Sequence, residues 1–103
     1  MRLLLFFDLP TLTKIDKKKY NSFRRFLIKN GFVMIQFSVY VKLCYTENYT
    51  EESAKKLEKY CPKTEGKIRY LKLTENQYQS IRLVRGKLTP QELIQNTKKI
   101  VTI

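Results

Sequence analysis

The chain has 103 residues, 43% of them hydrophobic, and a formal net charge of +12. That length suits a single domain, and one so small buries only about two-thirds of its unfolded surface, so a partner subunit would add useful burial. Disorder is excluded by the hydrophobic content, and a membrane-spanning helix by the lack of any apolar run near the required ~20 residues. The first apolar run meets Asp8 before any cleavage-site pattern, so no signal peptide is expected. The expectation is a cytoplasmic protein with no membrane partner.

The opening run, Arg2 to Asp8, holds apolar residues at consecutive positions from Leu3 to Phe7. A strand buried on both faces reads this way, and a charge inside it would be costly unless paired or metal-bound. Asp8 is therefore expected where the strand leaves the core. The Leu9-Pro10 that follows agrees, because proline removes a ladder donor. Two readings of Asp8 stay open: a Mg²⁺ or Mn²⁺ ligand beside nucleic-acid phosphate, or a turn aspartate capping local N–H groups.

Thr13 and Asp16 have capping-box spacing and predict a helix whose apolar stripe is Tyr20, Phe23, Phe26 and Leu27, stopped by Asn30-Gly31. Phe32 to Gln36 reads as a second strand and Ser38 to Tyr45 as a third, paired as a hairpin. In the third, Val39, Val41, Leu43 and Tyr45 share one face, Ser38, Tyr40, Lys42 and Cys44 the other. A second helix starts at Asn48 to Thr50, carries Ala54, Leu57 and Cys61 at core spacing and ends at Pro62. Gly66 opens a fourth strand that runs through Leu73. Cys44 and Cys61 lack metal-ligand or C-x-x-C spacing and read as small buried hydrophobes.

Strand-helix-strand-strand-helix-strand is the ferredoxin-like βαββαβ order, an α+β fold with strands one and three central and both helices on one sheet face. The second face of strand one then needs a cover. Ile81, Leu83 and Val84 are candidates for a fifth strand, and Ile100-Val101-Thr102-Ile103 for a short terminal one. Neither is long enough to cover a sheet, so a homodimer with face-to-face sheets is expected. The domain is 1–103, with a core of about 1–74 and a dimer-swapping segment of about 75–103.

Charge is uneven. Residues 1–46 hold nine Lys or Arg against Asp8 and Asp16 alone, densest at Lys17-Lys18-Lys19 and Arg24-Arg25. Such a surplus favours a polyanion, and nucleic acid leads because no basic amphipathic helix stands alone with a naked apolar face. Lys14, Lys17, Lys18, Arg24 and Arg25 are the candidate phosphate contacts, with Arg82, Arg85 and Lys87 as second choices. Of the seven tyrosines, Tyr40, Tyr45 and Tyr70 sit at strand positions and read as partly buried packing rather than base-stacking platforms.

With these residues in place the chain resembles the CRISPR-associated protein 2 family, the smaller of the two universal CRISPR adaptation proteins. The likeness spans nearly the whole length. It rests on the apolar strand ending in Asp8, on Gln36-Phe37-Ser38-Val39-Tyr40, similar to the family's Q-x-S-V-aromatic hairpin, and on size and element order. Phe7-Asp8-Leu9-Pro10-Thr11 looks most like members from systems with a single large effector nuclease. The chain departs at Met34, where the family often has arginine.

The resemblance implies a homodimer that bridges two dimers of the adaptation integrase and holds double-stranded protospacer DNA during spacer acquisition. It also implies, for some members, a metal-dependent endonuclease acting on RNA or double-stranded DNA, with Asp8 from both subunits as the catalytic metal ligands at the dimer seam. The residues bear on that second role. Histidine is absent, as is a G-x-x-x-x-G-K loop, and Asp8 alone among nine carboxylates abuts apolar sequence at a strand end. One carboxylate makes a poor Mg²⁺ or Mn²⁺ site, but two related by symmetry suffice with water and substrate phosphate. The alternative is a non-catalytic RNA-binding ferredoxin-like module. It should carry K/R-G-F/Y-G/A-F-V-x-F/Y, which Phe37-Ser38-Val39-Tyr40 does not match. A domain binding a small metabolite would not need +12.

Overall fold

The computed structural model describes residues 1–95, in the order β1 (Arg2–Asp8), α1 (Lys14–Lys29), β2 (Val33–Gln36), β3 (Val39–Leu43), α2 (Glu47–Tyr60), β4 (Lys67–Leu73), α3 (Glu75–Gln79) and α4 (Pro90–Gln95). One antiparallel sheet has the strand order β2-β3-β1-β4, with β1 and β3 central. This is the expected ferredoxin-like α+β arrangement.

The elements start and stop for local reasons. Thr13 Oγ1 accepts the Asp16 N–H at 3.0 Å, and Asp16 Oδ2 accepts the Thr13 N–H at 3.2 Å, completing the capping box of α1. Gly31, at φ 87°, takes the chain out of the helix in a conformation that side chains resist. In α2 the cap is Thr46, whose hydroxyl accepts the Tyr49 N–H. The helix thus starts slightly earlier than Asn48. Cys61 precedes Pro62 and is held extended at ψ 144°.

Leu3, Leu5 and Phe7 of β1 pack against Phe23 and Leu27 of α1, Leu57 of α2, and Tyr40 and Cys44 around β3. Each fully buried leucine is worth about 1.5–3 kcal/mol. Phe7 stacks on Tyr40 at 5.9 Å and meets Phe23 edge-on at 5.3 Å. The face of β3 turned to the helices is therefore that of Tyr40, Lys42 and Cys44. Val39, Val41 and Leu43 lie on the opposite face with Leu4 and Phe6, as the antiparallel register requires.

Several expectations are corrected. Ile81, Leu83 and Val84 form no strand; they are exposed and irregular, because Thr74 and Gln77 cap α3 reciprocally and divert the chain into a helix after β4. Cys61 is exposed rather than in the core, since it already stands at the helix end. Tyr45 is exposed, one residue beyond Cys44 and past the end of β3, whereas Tyr40 is buried. Strand one is fully covered only on the helix side; on the other, Phe6 remains 40% exposed. Arg2 and Lys42, counted above in the basic field, are buried and contribute little to it. The Ile100-Val101-Thr102-Ile103 segment lies outside the described residues.

Candidate metal and nucleic-acid site

Asp8 sits at the end of β1, opposite Lys67 at the start of β4. Its Oδ1 accepts the Lys67 backbone N–H at 2.7 Å. Gly66 makes this approach feasible: at φ 99° its missing Cβ would fall 2.0 Å from the Asp8 carbonyl oxygen. The capping role weighed for Asp8 is thus real. It does not exhaust the carboxylate, because the side chain is exposed and one capping bond leaves Oδ2 available.

Beside Asp8 lies an open cavity of about 380 Å³ whose wall includes Phe6, Ser38, Lys67 and Arg69. The hairpin motif forms one side of it. Ser38 takes the left-handed conformation at φ 63°, and its carbonyl accepts the Phe7 N–H at 3.1 Å, tying the β2–β3 turn to the end of β1. Phe37, at the tip, is exposed and stacks on Tyr20 of α1. Lys67 and Arg69 lie opposite Asp8 and Phe6 on the outer face, so the carboxylate is flanked by two cations. An exposed carboxylate, a hydroxyl and two cations suit a phosphodiester with a hard divalent ion.

The donor set also limits that fit. Among the described residues no three His, Cys, Asp or Glu side chains gather as a metal cluster. A single chain offers Mg²⁺ or Mn²⁺ one carboxylate, and the remaining ligands must come from a second chain, water or substrate phosphate.

Lys14, Lys17, Lys18, Arg24 and Arg25 are all exposed on α1. At the helical pitch, Lys14, Lys18 and Arg25 fall within about 20° of the line opposite the buried stripe of Phe23 and Leu27, and Lys17 lies about 80° from it. Arg24 is on the same flank as Lys17, and its guanidinium lies beside the Tyr40 hydroxyl; burial pushes that phenol up and Arg24 pulls it back. Lys19 is turned the other way, donating to the Lys63 carbonyl at 2.8 Å. The five candidates form a ridge of their own and do not line the Asp8 cavity. Sequence reasoning missed Lys67 and Arg69 there. Their alternation with Ile68 and Tyr70 is visible in the sequence, but only the β1–β4 register places them beside Asp8. Arg82, Arg85 and Lys87 line a separate groove with Ile35 and Gln36 of β2.

The model of the family described as CRISPR associated protein Cas2 matches residues 1–81. A relative from Ligilactobacillus salivarius, named CRISPR-associated endoribonuclease Cas2, is 42% identical over 84% of this chain and 85% of its own length. One of the same name from Acidovorax ebreus is 40% identical over 97% of both chains. Among solved structures, a crystal structure of Streptococcus pyogenes Cas2 superposes with a TM-score of 0.62 at 19% identity, over 82% of this chain and all of that one, a likeness of fold. With the family match covering β1 to α3, and Asp8 and the Gln36–Tyr40 hairpin inside it, the chain belongs to the CRISPR-associated Cas2 family.

Proposed function

We propose that the chain acts as a homodimer in CRISPR adaptation, bridging dimers of the adaptation integrase and holding duplex protospacer DNA for spacer acquisition. A second capacity, Mg²⁺- or Mn²⁺-dependent endonuclease action, is proposed for a pair of Asp8 carboxylates. The observation that carries this reading is the place of Asp8: exposed, at the rim of a sheet face where Phe6 and Leu71 remain 40% and 52% exposed. Apolar surface of that kind, rimmed by charge, is suited to a second copy of the chain. A two-fold axis near the rim would supply the second carboxylate that one chain lacks.

The scaffold role needs charge and shape only. Lys14, Lys17, Lys18, Arg24 and Arg25 neutralise phosphates without reading bases, which suits a protein that must accept any captured sequence. In the nuclease role Asp8 from each subunit would hold the metal, while Lys67 and Arg69 bind and orient the substrate phosphate. The metal, when bound, supplies Lewis-acid stabilisation and an acidified water. The name endoribonuclease carried by the relatives supports RNA as one substrate class.

The test is Asp8→Asn, measured for cleavage and for spacer integration with the integrase on the same folded protein. Cleavage should disappear while duplex binding and integration persist. Loss of both would make Asp8 part of the adaptation chemistry, and persistent cleavage would remove Asp8 from the nuclease site.

A further inference from the structure

A second polar cavity, of about 460 Å³, opens on the helix side of the sheet, with Lys29, Lys42, Tyr49, Glu52, Ser53 and Lys56 in its wall. Lys42 pairs with Leu3, five residues along β1 from Asp8, which separates the two sites by about 17 Å at the rise of a strand. It shares no residue with the Asp8 cavity and does not rest on the function proposed above.

Among the described residues, one buried donor on this wall lacks a partner, and a cation beside it in the same wall is held by rings. Lys42 is 7% exposed, and its ammonium lies against the rings of Tyr49 at 4.6 Å and Phe32 at 5.6 Å. Ring faces stabilise a cation without taking the place of an oxygen acceptor. Ser53 is 6% exposed, and its buried hydroxyl has no hydrogen-bond partner. Lys29 and Lys56, both exposed, add two more positive charges to the same wall, against the single carboxylate of Glu52.

The missing counterpart is an acceptor-rich anion. A carboxylate has two oxygens; a terminal phosphate has three and up to two negative charges, matching an ammonium, a hydroxyl and flanking lysines together. The cavity volume lies within the range of small-ligand pockets and leaves room for a group attached to the phosphate. We propose that this cavity binds a phosphate monoester, either a free mononucleotide or the 5′-phosphate end of a nucleic-acid strand, with Lys42 and Ser53 as the specific contacts.

The experiment is an amide-shift titration of the full chain at constant ionic strength with inorganic phosphate, AMP, adenosine, and a short single strand with and without a 5′-phosphate. Phosphate and AMP should shift the Gly31, Lys42 and Ser53 amides saturably at millimolar concentration, and adenosine should not. Lys42→Met, which keeps the apolar stem, should weaken AMP binding about tenfold or more, and Ser53→Ala about fivefold, as expected for charged and neutral hydrogen bonds. Glu52→Gln should tighten it. If AMP binds and neither strand competes, the ligand is the free nucleotide; if only the 5′-phosphorylated strand competes, it is the strand end. The proposal is overturned if no saturable shift occurs at those amides, or if a Lys17→Ala, Lys18→Ala variant weakens binding as much as Lys42→Met. Should Lys42→Met fail to fold, Ser53→Ala decides alone: unchanged AMP affinity in that variant sinks the assignment.

Discussion

Arg2 and Glu75 form a two-pronged ion pair across the outer face of the sheet: Nε and Nη2 donate to the two carboxylate oxygens at 2.9 and 2.8 Å. The guanidinium also lies 4.2 Å from the centroid of the buried Tyr78 ring. Together these contacts fasten α3 over the start of β1.

The pair makes stability depend on acid in a defined window. Arg2 holds the Glu75 carboxyl at about 2, against 4.5 ordinarily. Because the folded value is depressed, its stabilisation is complete above the unfolded value of 4.5 and is lost as pH falls from there through about 2. The Glu75 side chain is 45% exposed, so solvent screening leaves about 1 kcal/mol. Urea unfolding of Glu75→Gln should show that deficit at pH 7, shrinking steadily below pH 4.5 and vanishing near pH 2. A deficit independent of pH would mean that packing rather than charge holds α3.

Gly66→Ala should be among the most damaging small substitutions in the chain. The new Cβ would overlap the Asp8 backbone oxygen at 2.0 Å on a φ of 99°, and relief requires β4 to move away from β1. A loss of about 2 kcal/mol or more is expected. Thermal unfolding checks the stability. A variant as stable as the parent would show that the 66–67 turn adapts freely.

Asp8→Ala removes the acceptor of the Lys67 N–H as well as the carboxylate, and Asp8→Asn keeps an acceptor oxygen. The alanine variant should be less stable by about 1 kcal/mol and the asparagine variant nearly neutral, with both inactive as nucleases. Equal stability of the two in denaturant titrations would assign the cap to another group.

A combined Lys17→Ala, Lys18→Ala, Arg24→Ala, Arg25→Ala variant should bind duplex DNA more weakly and with a shallower salt dependence, because fewer counterions are released. Duplexes of unrelated sequence should bind the parent alike. An unchanged salt slope would move the DNA surface off α1.

Phe6→Glu, or Leu71→Glu opposite its neighbour Leu4, places a charge on the uncovered sheet face without touching the helix-side core. Sedimentation should find a dimer for the parent at micromolar concentration and a monomer for the variant. A monomeric parent would remove both the face-to-face assembly and the paired Asp8 site.

What the sequence by itself determined is local. The Thr13–Asp16 capping box, the Asn30-Gly31 stop, the apolar run ending in Asp8 and the period of α1 each depend on neighbours within a few residues, and each was readable in place. The strand order followed as well, because the βαββαβ succession leaves few alternatives for antiparallel packing.

Only the tertiary structure decided which face of β3 enters the core. Its alternation is apolar on Val39, Val41 and Leu43, yet Tyr40, Lys42 and Cys44 turn to the helices, because the β1 register aligns them with Leu5, Leu3 and the strand start. The same holds for Lys67 and Arg69 beside Asp8, for Arg2 paired with Glu75 seventy-three residues away, and for Lys42 and Ser53 in the wall of one cavity. Register and packing join residues distant in the chain, and no local spacing records that a strand will lie one way up rather than the other.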